Sequence, residues 1–160
     1  MELWQLEAYA EIRDLISAYN SFGDRGRFDQ LLELFAETAV MDINDGRVYE
    51  GTDEIRTIFT DASDSLSKDD SPSYIQHHTS STHIEFEGNE KANSKSYFSV
   101  FLPHGIDHWG RYEDKFENIN GKWVFVYRRV KTDGYLPGGW AAPANGPGSL
   151  PWAGPANGWA

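Results

Sequence analysis

The chain has 160 residues, 39% of them hydrophobic, enough for one domain with a buried core. Its net charge of -11 at pH 7 repels phosphate backbones and anionic bilayers, which argues against nucleic acid and membrane as partners. The absence of cysteine excludes disulfides, thiolate metal sites and cysteine nucleophiles.

The chain opens on Met1-Glu2-Leu3-Trp4-Gln5-Leu6-Glu7, which is acidic and lacks the basic and apolar stretches of a signal peptide. No apolar run is long enough to span a bilayer. A cytoplasmic location is the default expectation. Leu6, Tyr9, Ile12, Ile16 and Tyr19 then recur at helical spacing, with charged residues between them, and predict a helix with one buried face. Gly23-Asp24-Arg25-Gly26 ends it. A second helix carries Phe28, Leu31, Leu32 and Phe35, and the short link makes the two a hairpin. Val40 to Ile43 reads as a strand, Asn44-Asp45-Gly46 as a hairpin turn, and Arg47 to Glu50 as the returning strand. Thr52 is a candidate N-cap for a third helix with Ile55, Ile58 and Phe59 inside. The Ser- and Asp-rich segment from Asp61 to Ser73 reads as a loop or a frayed helix end.

Long strands follow. Tyr74 to Glu87 turns at Gly88-Asn89 into Lys91 to Leu102. Asp107 to Ile119 turns at Asn120-Gly121 into Lys122 to Lys131, where Trp123, Phe125 and Tyr127 alternate. Helices first and hairpin-linked strands afterwards predict an α+β domain over residues 1–133, with the helices on one face of a curved sheet. From Gly134 the composition shifts to Gly, Pro, Ala and Trp, and Trp140-Ala-Ala-Pro-Ala-Asn-Gly recurs as Trp152-Ala-Gly-Pro-Ala-Asn-Gly. Such a segment suits neither regular helix nor strand. It reads as a disordered tail or, as the exposed tryptophans of a free tail would be unfavourable, as an extended arm over residues 134–160.

Several polar residues carry possible chemistry. Asp24 stands where Asp forms turns, but it also lies at the end of the apolar stripe that includes Tyr19. His77 and His78 are neighbours on a strand, so one faces in and one out. Strict alternation groups His78 with Ile84 and Phe86, whereas a β-bulge between Thr79 and Thr82 would turn His77 inward. His108 shares parity with Tyr112, and of Arg128 and Arg129 one points inward. The five histidines match no compact metal motif, and no metal or other cofactor is expected. An imidazole oriented by a carboxylate is a general base at neutral pH, and a nearby tyrosine hydroxyl can protonate a leaving group.

The two helices with Asp24 between them, Tyr49-Glu50-Gly51, the His77 strand, and Gly110-Arg111-Tyr112-Glu113-Asp114 leading to Gly121-Lys122-Trp123 together resemble a SnoaL-like domain of the nuclear-transport-factor-2-like superfamily. The resemblance covers roughly residues 5 to 131. It implies a cone-shaped α+β barrel, its curved antiparallel or mixed sheet wrapped around the N-terminal helices, with an internal pocket. The likeness is nearest to scytalone dehydratase, bile-acid 7α-dehydratase and hexachlorocyclohexane dehydrochlorinase, lyases that share an Asp after the first helix and a His on the third strand. The bile-acid enzyme also places a Tyr five residues before its Asp, as Tyr19 stands to Asp24. The segment from His77 to Ile84 and Phe86 aligns with the dehydrochlorinase without a gap, which favours His77 as the catalytic histidine. The asparagine that many members carry four residues later is Ser81 here, and the Trp-rich tail has no counterpart. The implied catalytic set is His77, Asp24 and Tyr19, with Tyr49, His78, His108, Tyr112 and Arg128 as candidate substrate contacts. The implied activity is a cofactor-independent lyase of aromatic-compound catabolism, acting on a hydrophobic aromatic or polycyclic small molecule. The alternatives are an isomerase or cyclase using the same dyad, or a binding or oligomerisation module. A homo-oligomer is expected, a trimer ahead of a dimer.

Overall fold

The computed structural model describes residues 1–43, 45–67 and 74–142. Its elements are α1 (Leu3–Asp24), α2 (Phe28–Leu32), β1 (Phe35–Asp42), β2 (Val48–Glu50), α3 (Thr52–Leu66), β3 (Gln76–Phe86), β4 (Lys91–Leu102), β5 (Gly105–Ile119) and β6 (Lys122–Tyr135). They form one curved, unclosed mixed sheet in the order β2-β1-β6-β5-β4-β3. β1 runs parallel to β6 and every other pairing is antiparallel. The helices precede or interrupt the short strands, and the four long strands follow as hairpins.

α1 buries Ala8, Ile12, Leu15, Ile16 and Tyr19. Leu6, expected on that stripe, is 53% exposed, and Ala8 and Leu15 fill the face instead. The helix ends in a Schellman motif. Gly26 adopts φ 68°, Arg27 N–H donates to Phe22 O at 2.9 Å, and Gly26 N–H donates to Gly23 O at 3.1 Å. Backbone groups therefore satisfy the last carbonyls, and the Asp24 side chain is not used by the turn.

Several boundaries differ from expectation. Phe35 opens β1 rather than closing α2, and it stacks on Phe125 at 5.0 Å between centroids. Gly51, at φ 82°, is the N-cap of α3, so Thr52 is already inside the helix. That helix runs on through Asp61 to Leu66 because Ala62 and Leu66 extend the inner stripe of Ile55, Ile58 and Phe59. β6 continues past Lys131 to Tyr135, pairing Gly134 with Trp109, so the first two residues of the expected arm are sheet. The Asn120-Gly121 turn forms as expected, with φ 54° and 83°. The second Trp repeat, with Trp152 and Trp159, lies outside the described residues, as do Asn44 of the first hairpin turn and residues 68–73 of the Ser- and Asp-rich segment.

The core lies between α1 and the inner face of the sheet, where Tyr19, Phe35, Phe98, Tyr112, Phe116 and Phe125 meet in edge and stacked contacts. Within it sits the Arg128–Asp114 ion pair. Arg128 is wholly buried, and its Nε and Nη2 donate to the two oxygens of Asp114, each at 2.8 Å. The guanidinium carbon lies 4.0 to 4.4 Å from the ring centres of Tyr19, Tyr112 and Phe125. No described helix is long and apolar enough to cross a membrane.

Candidate functional site

β3 carries the feature that decides which histidine turns inward. Ser80 pairs with Tyr97, but the next pair is His83 with Lys95, so β3 holds one residue more than its partner. The extra residue is accommodated at Ser81, whose φ is 50°. This bulge reverses the parity. His77, Thr79, Thr82, Ile84 and Phe86 share the inner side, and His78 is exposed beside Phe101.

Asp24 reaches from the end of α1 to the start of β3. One carboxylate oxygen meets His77 Nδ1 at 2.6 Å, and the other accepts the His77 backbone N–H at 2.8 Å. Two bonds to one residue fix both the strand and the ring. With Nδ1–H donated to Asp24, Nε2 is the nitrogen with a free lone pair. One step along the strand, Asn20 Nδ2 donates to Thr79 Oγ1 at 2.5 Å, which pins α1 to β3 a second time. Both side chains of the dyad remain partly open, His77 at 25% and Asp24 at 18%.

The dyad borders a cavity of about 390 Å³ between α1, α2, α3 and the start of β3. Tyr19, Phe28, Phe59, Leu66 and Ile75 give it an apolar wall, with Asn20, Ser63 and Ser67 as polar points. No Lys or Arg lines it among the described residues. A more open groove on the far side of the dyad is lined by Arg25 and His78 among others.

The remaining candidates divide. Tyr19 is buried and lines the cavity. Burial, opposed by the Arg128 charge, raises its hydroxyl above the ordinary tyrosine pKa, so it keeps its proton. His108 is buried with its ring 6.4 Å from that of His77 and nearly perpendicular to it. Its Nδ1 lies 2.8 Å from Asp107. Burial, against the pull of Asp107, holds this imidazole below its ordinary pKa and so neutral at physiological pH. Tyr112 stacks on Phe98 at 4.6 Å and is outside the cavity wall; burial raises its hydroxyl well above the ordinary value. Tyr49 packs against the core from β2, opposite Met41, and is not a wall residue. Arg128 does point inward, but Asp114 and three rings enclose it beneath Tyr19. It is a buried structural cation in this structure, not a cavity contact. His78 faces the outer groove for the reason of register given above.

Sequence reasoning missed Asn20, Thr79 and Asp107. Asn20 follows Tyr19 on the helix, and Asp107 stands next to His108, so adjacency was the available signal. Among the described residues no group of three or more His, Asp or Glu side chains is arranged to hold a metal ion.

Residues 4–129 match the sequence model of the SnoaL-like domain. The chain belongs to the SnoaL-like family. No curated protein matches it by sequence. Solved structures share the SnoaL-like chain's fold at low identity. Hexachlorocyclohexane dehydrochlorinase LinA-type3 from Novosphingobium barchaimii superposes with a TM-score of 0.72 at 18% identity, over 94% of this chain and 99% of that one. A candidate scytalone dehydratase from Novosphingobium aromaticivorans gives 0.72 at 20% identity, over 82% and 88%. A protein of unknown function with a cystatin-like fold from Nostoc punctiforme gives 0.70 at 22%, over 81% and 93%. These likenesses establish a nuclear-transport-factor-2-like architecture, which enzymes and proteins of unknown function share.

Proposed function

We propose that this SnoaL-like protein is a cofactor-independent lyase that removes water from a neutral, hydrophobic aromatic or polycyclic small molecule. The observation that carries the reading is the 2.6 Å contact of Asp24 with His77 Nδ1 at the edge of an apolar cavity. His77 Nε2 takes a proton from the carbon adjacent to the one that bears the leaving hydroxyl. Asp24 stabilises the imidazolium that forms. The C–O bond breaks as a C=C bond forms, and Tyr19 gives its proton to the departing hydroxyl, which leaves as water. The imidazolium then returns its proton to the tyrosinate, and the site is reset. Tyr19 suits this step because it stays protonated until a developing anion lies beside it.

Substrate charge follows from the wall. The ionisable wall groups are Asp24, His77 and two tyrosines, and none supplies a fixed positive charge. A carboxylate or phosphate there would be desolvated without a partner, which is unfavourable. The names of two structural neighbours, a dehydrochlorinase and a candidate dehydratase, support elimination by analogy of fold. In this reading the protein works as a homotrimer joined through the outward face of its sheet.

The test is a screen of β-hydroxy ketones and hydroxylated polycyclic compounds with wild type, His77→Ala, Asp24→Asn and Tyr19→Phe. Loss of the base lowers kcat roughly 10²- to 10⁴-fold, and Tyr19→Phe lowers it by a smaller factor. Equal turnover by wild type and His77→Ala overturns the dyad mechanism.

A further inference from the structure

We infer that Asp107 is a positioning residue behind the dyad, which holds His108 against His77 and ties the turn at residues 136–142 to His108. The role in turnover rests on His77 being the base proposed above; the positioning itself does not.

Asp107 is the extra residue of a second bulge. On β4 and β5, Val100 pairs with His108 and the adjacent Phe101 with Ile106, so Asp107 has no partner in the ladder. Both Asp107 and His108 are consequently buried, although they are consecutive on a strand. The Asp107 side chain is 0% exposed, and its two oxygens take part in three hydrogen bonds. Oδ1 faces His104 Nε2 at 3.0 Å and accepts the Trp140 N–H at 2.7 Å. Oδ2 faces His108 Nδ1 at 2.8 Å and accepts the Ala141 N–H at 3.1 Å. A buried carboxylate held by three hydrogen bonds, with His104 beside it, is a built site, since burial without these donors would be strongly unfavourable.

The turn is shaped to reach it. Leu136 N–H donates to Asp107 O at 2.6 Å, Gly139 N–H closes on Leu136 O at 2.9 Å, and Gly138 takes φ 77°. At Gly139 a Cβ would stand 2.6 Å from Asp107 Oδ1, so only glycine admits the approach. Trp140 then lies with its ring centre 6.0 Å from that of His108, and its Nε1–H donates to Ser65 Oγ at 3.1 Å. Ser65 is on α3, the helix whose Phe59, Ala62 and Leu66 wall the cavity.

The consequence for the site is electrostatic. His108 gives Nδ1–H to Asp107, which fixes its tautomer and leaves Nε2 without a proton. The ionisable groups beside His108 are Asp107 on its own strand, His77 on β3 and Tyr135, opposite it on β6, while Phe98 and Trp140 are its uncharged neighbours. A neutral His108 puts no positive charge beside His77 when His77 becomes an imidazolium. Asp107 keeps His108 in place, and Trp140 keeps water from it.

The experiment uses the full-length protein and Asp107→Asn. Histidine ¹⁵N NMR reads the His108 tautomer and its titration, and the pH–rate profile is measured on whichever substrate the screen yields. In wild type, His108 is the neutral Nδ1–H form. In Asp107→Asn it becomes a tautomer mixture, kcat falls roughly tenfold or more with KM little changed, and the acid limb of the profile moves. Should Asp107→Asn fail to fold, Trp140→Ala carries the test, because it uncovers His108 and shifts its titration upward. An unchanged His108 tautomer and titration in the variant overturns the inference. If His108 responds as stated while no form of the protein turns over any substrate, the positioning stands and the elimination chemistry is what fails.

Discussion

Arg128 shows why an inward-pointing cation need not be a ligand site. Its charge is buried completely, and so is that of Asp114. Removing two such ions from water is unfavourable by several kcal/mol each, and only close, bidentate pairing offsets it. The rings of Tyr19, Tyr112 and Phe125 add cation–π contacts on the guanidinium faces. Burial opposes the charged form, but the Asp114 charge and its hydrogen bonds, with Tyr19 and Tyr112, together drive the Arg128 pKa upward, so the pair stays ionised. Tyr19 rests on this pair, which places an energetic demand directly behind the proposed acid. Removing one partner strands the other as a bare buried charge. Asp114→Ala therefore lowers unfolding stability by about 3–5 kcal/mol in urea titration, whereas the volume-matched double change Asp114→Leu with Arg128→Met recovers most of it. A loss below about 1 kcal/mol in the single variant would show that the pair is not structural.

At the scale of elements, two bulges decide the site. The hairpins were legible because Asn-Gly and Gly-Asn turns announce themselves in residues that accept positive φ. The helix hairpin was legible from periodicity. Phe35 was misplaced because its spacing from Leu31 and Leu32 is helical, while its packing on Phe125 is what fixes it as strand. The end of α3 reads in the sequence as a loop or a frayed helix end because Asp61, Ser63, Asp64 and Ser65 outnumber Ala62 and Leu66, the two that pack. The bulge near Ser81 was foreseen only as a way to reconcile two readings of His77 and His78, and the bulge at Asp107 was not foreseen at all, since neither Ser nor Asp signals one. Deleting Ser81 alone closes the ladder without turning the strand: Ser80 stays opposite Tyr97, Thr82 moves opposite Ser96, and His77 stays opposite Val100 and faces inward, so activity is retained. Deleting Ser80 and Ser81 together shifts the first half of β3 by one residue, while Ile84 and Phe86 hold the second half to the core. His78 then faces α1, His77 faces solvent, and activity falls to the level of His77→Ala while the protein stays folded by circular dichroism. Ser81→Gly keeps the bulge, relieves the left-handed strain at φ 50°, and leaves activity and melting temperature unchanged or slightly raised. A double-deletion variant with wild-type activity would show that register does not decide which histidine serves the site.

For the whole molecule, a sequence with helices first and hairpins after was enough to name the architecture, but the sheet does not close. β2 and β3 are left as its edges, and the side of β4 away from the helices shows Tyr97 at 40% exposure, with Phe101 beyond it. Ile106, opposite Phe101 on β5, is 41% exposed. Apolar groups at those positions favour association of copies through this face. Against association stands the net charge of -11 on every subunit. The two effects differ in range. Apolar burial acts on contact and gains little from salt at these concentrations, whereas repulsion between whole subunits is screened once the Debye length falls to about 10 Å near 0.1 M salt. Sedimentation should therefore show a species of three times 18.1 kDa that gains on monomer as sodium chloride rises from about 20 to 300 mM. Tyr97→Asp adds charge at the contact itself and shifts the protein to monomer at every salt concentration. If the oligomer instead weakens with salt, ion pairs hold the interface, and a wild type that is monomeric throughout removes the proposed assembly while leaving the Asp24–His77 pair intact, since both residues belong to one chain.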